Sequence, residues 1–105
     1  MTIVEVTLDK AKKYKKVLVS GHSGYDVIGK DIVCASISVA MYMSANLISQ
    51  VTTDFSFIED DKNTEMKLEV NDDSEFVNII IENLVYTLEN ISKSYAKFLK
   101  IKIYE

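Results

Sequence analysis

Two residues of the chain have side chains suited to nucleophilic chemistry at neutral pH: its one cysteine, Cys34, and its one histidine, His22. A thiolate beside an imidazole is the minimal equipment for attack on a carbonyl, because the imidazole takes the thiol proton and later supplies one to the leaving group. Asp31 stands just ahead of Cys34 and has the side chain of a helix N-cap. With Asp31 in that role, Cys34 occupies the third helical position, close to the free N–H groups and positive end of the helix, which favours the thiolate. All three glycines, Gly21, Gly24 and Gly29, fall in the loop that carries His22. Backbone freedom gathered beside the one imidazole reads as a hinged segment that bends round or moves over a ligand.

Each of these residues also has a plain reading. A free cysteine is commonly a small buried hydrophobe, a histidine in a polar loop is commonly solvated, and a glycine-rich loop is often just a tight connection. Spacing singles out no third residue to orient the imidazole. One Cys and one His are too few soft ligands for a zinc site and allow no internal disulfide, so neither a metal nor another cofactor is expected. A redox-sensing thiol is a further possibility, weakened by the lack of a resolving cysteine.

The elements that must position these residues follow from periodicity. Val4, Val6 and Leu8 alternate with polar residues, a lysine-rich connector runs from Lys10 to Lys16, and Val17-Leu18-Val19 follows, which predicts a hairpin of two strands. A loop from Ser20 to Lys30 leads to a helix from Asp31 to about Gln50. Phe55 and Phe57, then Met66, Leu68 and Val70, flank the polar turn Asp60–Thr64 as a second hairpin. Asp72, Asp73 and Ser74 offer N-caps for a second helix, marked by Val77, Ile80, Leu84, Leu88, Ile91 and Tyr95, to about residue 97. Leu99, Ile101 and Ile103 alternate with lysines as a short fifth strand at a sheet edge. The order ββαββα(β) predicts an α+β two-layer domain over residues 1–105, with a mostly antiparallel sheet and two helices on one face. The first helix has Val33, Ile37, Met41 and Ile48 on one stripe, yet Ala35, Val39, Tyr42 and Met43 leave little of its other side polar. That surplus predicts a homodimer, unless the second helix covers it.

Composition narrows the function. The 105 residues are 48% hydrophobic and 27% charged, the balance of one globular domain. The net charge is −4, and all 12 basic residues are lysines, so direct nucleic-acid readout by guanidinium groups is not expected. No apolar run is read as long enough to span a bilayer and no leader precedes the first strand, so no membrane is expected and the location is expected to be cytoplasmic.

The string Ser20-Gly21-His22-Ser23-Gly24-Tyr25, followed by Gly29-Lys30-Asp31-Ile32-Val33-Cys34-Ala35-Ser36 and then Ser38, resembles the signature of the ribosomal-processing cysteine protease family of Firmicutes and related bacteria. The resemblance joins a Gly-His-x-x-Tyr loop to a Gly-x-Asp-Ile-Val-Cys-Ala helix start, and the element order suits the family across the chain. It implies an enzyme that removes a short N-terminal extension from a large-subunit ribosomal protein, with Cys34 as nucleophile and His22 as acid/base. Asp31 and Ser38 match further family positions as supporting residues. Ser23 stands where the family commonly has Ala, a mild change. The family's dimeric state, and a glycine-rich loop open until substrate arrives, agree with the surplus face and the glycines. Backbone N–H groups near Cys34 are the expected oxyanion donors, and Tyr25 and Ile28 are expected to help close the substrate pockets.

A non-enzymatic alternative is a dimeric ribosome-associated or assembly factor. It would use Lys10, Lys12, Lys13, Lys15 and Lys16 for nonspecific contacts with RNA phosphates, although exposed lysines on a turn need no partner.

Overall fold

Alternating valines build the first hairpin, β1 (Thr2–Leu8) and β2 (Tyr14–Ser20). In the computed structural model, which describes residues 1–105, helix α1 (Ile32–Ser49), strands β3 (Phe55–Asp60) and β4 (Glu65–Val70), helix α2 (Glu75–Ser94) and strand β5 (Leu99–Tyr104) follow. The sheet order is β3-β4-β2-β1-β5. Neighbouring strands are antiparallel except β1 and β5, which run parallel from Thr2↔Leu99 to Thr7↔Tyr104. The domain is therefore α+β with a mixed sheet, in which α2 is the crossover that a parallel partner requires.

Register carries the inward side chains across the sheet in rows. Val6 faces Val17, which faces Leu68, which faces Phe57; Val4 faces Val19, which faces Met66. One core cluster joins these rows to Val33, Ile37, Met41, Ala45 and Ile48 of α1 and to Val77, Ile81, Leu84, Val85 and Leu88 of α2. Both helices thus lie on one face of the sheet, and truncating a fully buried centre such as Leu68 to Ala would cost about 2–5 kcal/mol.

Three expectations need correction. The connector of the first hairpin is shorter than Lys10–Lys16, because Tyr14, Lys15 and Lys16 belong to β2. Asp9 tightens the turn by accepting the N–H groups of Ala11 at 2.8 Å and Lys13 at 3.0 Å, with Lys12 at φ 65°. Helix α2 ends at Ser94, with Tyr95 as its C-cap. Helix α1 does have the length and apolar composition to cross a membrane. In this fold its Val33-Ile37-Met41-Ile48 stripe is buried in the core instead.

The surplus on α1 persists after folding. Helix α2 packs alongside α1, yet Val39, Met43 and Leu47, four residues apart on one stripe, remain 55%, 67% and 48% exposed. Phe76, Ile79 and Tyr86 of α2 are exposed as well.

Candidate active site

Asp31 joins the helix to the loop. It has the extended backbone of an N-cap (φ −84°, ψ 104°), and its Oδ1 accepts the N–H of Cys34 at 2.9 Å. Its Oδ2 accepts the Ser23 hydroxyl at 2.5 Å and the N–H groups of Tyr25 at 3.1 Å and Asp26 at 3.3 Å. Asp31 is buried, and burial pushes its pKa up; the Ser23 hydroxyl and the amides of Cys34, Asp26 and Val33 outweigh this and hold it at about 2. A carboxylate that is anionic at working pH therefore pins the His22 loop onto the start of α1.

That pinning sets the surroundings of the thiol. The Ser23 N–H donates to Cys34 Sγ at 3.3 Å, while the Cys34 side chain remains partly exposed. The first-turn amides are engaged elsewhere: Cys34 N–H by the Asp31 side chain, and Ala35 N–H by the Asp31 carbonyl at 3.0 Å. Both residues nevertheless line the cleft described below. The backbone donor on the sulfur comes from the loop.

At the start of the loop, the Gly21 N–H donates to the Thr64 carbonyl at 3.0 Å and the Gly21 carbonyl accepts from the Thr2 hydroxyl at 3.0 Å. Gly21 has φ +84°, and a Cβ there would lie 3.0 Å from the Met1 carbonyl oxygen. Conformation and space both call for glycine. Gly24 and Gly29 also have positive φ.

The loop, α1, the end of β2 and the β3–β4 turn enclose an open cleft of about 610 Å³. His22, Cys34, Asp31 and Ser38 all line it, as do Gly21, Gly24 and Gly29. Ser38 is one helical turn beyond Cys34 on the same face of α1. Ile28 lines the cleft, but Tyr25 does not. The Tyr25 ring is instead docked edge-on against Tyr95 and Phe98, with centroids 5.5 and 5.2 Å away, tying the loop to the junction of α2 and β5. The remaining wall mixes apolar side chains, Val19, Ala35, Ile37 and Met66, with the carboxylates of Asp26, Glu59, Asp60, Asp61 and Glu65, and has no lysine.

Sequence reasoning missed Ser23. It is 2% exposed and bonded to both Asp31 and Tyr25, whereas its position in the sequence marks only a polar loop residue. The lysine cluster is largely answered by carboxylates: Lys12 pairs with Glu105, Lys13 with Glu75, and Lys15 with Asp9 at 3.7 Å.

A small α+β domain with a thiol at a helix start, an imidazole on the adjoining loop and an open cleft lined by both has the build of a thiol protease. The family model described as cysteine protease Prp matches residues 1–100, and the chain belongs to that family. Among curated proteins it is 26% identical to the ribosomal processing cysteine protease Prp of Staphylococcus aureus, over 96% of this chain and 97% of that one. Among solved structures it superposes on the S. aureus Prp protease with a covalently linked product peptide at a TM-score of 0.91 and 24% identity, covering 100% of both chains. Against the same protease with a substrate peptide the TM-score is 0.87 at 23% identity, again over 100% of both chains. These structural likenesses establish the shared fold.

Proposed function

We propose that this chain is a cysteine endopeptidase that removes a short N-terminal extension from a large-subunit ribosomal protein, with Cys34 as nucleophile and His22 as general acid and base. Family membership supports the class of reaction, and the S. aureus relative's name supports the class of substrate. The observation that carries the residue roles is that the chain's one thiol and one imidazole line the same cleft of about 610 Å³, room for a stretch of extended peptide.

In this mechanism His22 takes the Cys34 proton and the thiolate attacks the scissile carbonyl carbon, forming a C–S bond. The tetrahedral intermediate collapses as the C–N bond breaks and His22 protonates the departing amine, leaving a thioester on Cys34. Water, deprotonated by His22, then releases the carboxylic acid and regenerates the thiolate. Asp31 supports the site by holding the loop on the helix, and Ser38 offers its hydroxyl to bound peptide. Gly21, Gly24 and Gly29 let the loop bend around that peptide. No cofactor or metal enters any step.

The enzyme acts as a homodimer in the cytoplasm, with the exposed Val39-Met43-Leu47 stripe of α1 buried against a second copy. The assembly-factor alternative is less well supported. An acidic cleft repels phosphate, and three of the five cluster lysines already face carboxylates.

The test is to incubate the purified protein with the extended ribosomal protein and read its new N-terminus by mass spectrometry. One internal cut, lost in Cys34→Ala and strongly reduced in His22→Ala, is the expected result. An uncut substrate, with the thiol free and reduced, would sink the proposal.

A further inference from the structure

The Ser23 hydroxyl is used twice inside the protein: it donates to Asp31 Oδ2 at 2.5 Å and accepts the Tyr25 N–H at 3.2 Å. With 2% of the residue exposed, neither bond is readily exchanged for one to water. The main chain of the same residue donates to Cys34 Sγ at 3.3 Å, and the other oxygen of Asp31 accepts the Cys34 N–H at 2.9 Å. The contacts close a ring that runs from the Cys34 amide through the Asp31 carboxylate, the Ser23 side chain and the Ser23 amide to the Cys34 sulfur. A closed ring fixes both the distance and the direction of the one N–H aimed at the sulfur. A backbone N–H aimed at a sulfur orients it, and as a general rule partners the attacking anion better than the neutral thiol.

We propose that Ser23 is a positioning residue for Cys34: its hydroxyl, locked to Asp31, holds its own backbone N–H on the sulfur and so keeps the sulfur poised for attack. The inference rests on Cys34 being the nucleophile and deepens that reading. Loss of the hydroxyl leaves the loop on Asp31 through the Tyr25 and Asp26 amides, so the donor loosens without the loop being released. Alanine is the residue that the resembled family commonly carries here, so Ser23→Ala is expected to fold.

The test is the pH dependence of iodoacetamide alkylation of Cys34, the one thiol in the chain, followed by intact mass without any peptide present. The parent is compared with Ser23→Ala and with Ser36→Ala, whose exposed hydroxyl bonds the Ile32 carbonyl of its own helix at 2.7 Å and controls for loss of a nearby hydroxyl. Ser23→Ala is expected to be alkylated roughly threefold more slowly at neutral pH and below, with Ser36→Ala superposing on the parent. A Ser23→Ala profile that superposes on the parent, or an equal shift in Ser36→Ala, overturns the proposal even if the thermal transition falls. Peptide cleavage by the parent, measured in parallel, keeps the two readings apart. A parent that cuts no peptide but shows the Ser23-dependent shift loses the protease reading alone. One that cuts through Cys34 with no such shift loses the positioning role alone.

Discussion

Ser23 and Cys34 are 11 positions apart in the chain, and the N–H of the first meets the sulfur of the second at 3.3 Å. The carboxylate of Asp31 makes that meeting possible by serving loop and helix together. The surroundings of the thiol therefore depend on an N-cap, a local feature that orders the loop as well as starting the helix.

Replacing Asp31 with Asn removes the charge from this hub and turns one acceptor oxygen into a donor. The loss is expected to be about 1–2 kcal/mol, lowering the midpoint of thermal unfolding by about 5–10 °C for a domain of this size. Because the folded carboxyl is held at about 2, below its ordinary 3.8, its contribution to stability is complete above the higher value and lost as pH falls toward the lower. Thermal melts of the two proteins should differ at pH 7 and converge between about pH 4 and pH 2.

Tyr25 anchors the loop from outside the cleft. Tyr25→Ala removes two edge-on aromatic pairs, a loss of about 1–2 kcal/mol, and should make the loop near residue 25 more sensitive to limited proteolysis. Peptide cleavage should fall by less than about tenfold, since no cleft-lining side chain is removed. A larger fall would mean that the anchor sets the catalytic geometry itself.

Gly21 and Gly24 have similar positive φ but different surroundings. Alanine at either position meets the conformational penalty of about 1 kcal/mol, and only at Gly21 does the new Cβ also press on backbone, the Met1 carbonyl at 3.0 Å. Urea denaturation should rank Gly21→Ala below Gly24→Ala in stability.

Met43 is 67% exposed at the centre of the apolar stripe on α1. Met43→Glu should leave the thermal transition of an isolated protomer within about 0.5 kcal/mol of the parent, while a buried charge should break a self-association through this face. Sedimentation velocity should show a dimer for the parent and a monomer for the variant.

The strands and α2 are legible in the sequence through their periods, two in Val4-Val6, Val17-Val19 and Met66-Leu68-Val70 and near 3.6 in Val77-Leu84-Leu88, whereas α1, apolar on most of its surface, is legible by its length and its N-cap. The pairing of β5 parallel to β1 is not, since it depends on where α2 crosses the sheet, a tertiary property that local pattern does not encode. Cys34, His22 and Asp31 stand out by type and spacing. Ser23 does not, because a buried hydroxyl in an irregular loop has no period and its value comes from a partner eight positions away. Tyr25, expected to help close the substrate pockets, lies elsewhere for a related reason: its ring is drawn to Tyr95 and Phe98 at the far end of the chain, partners that its own loop does not announce.

The most direct measurement of the central claim is an acid-quenched reaction of the protein with its extension peptide, analysed by mass spectrometry of the fragment that contains Cys34. A mass gain equal to the acyl part of the extension, located on Cys34 and lost on base hydrolysis, is the predicted result. Cleavage that continues at the parent rate in Cys34→Ala, with no acyl group on the parent's thiol, would contradict it.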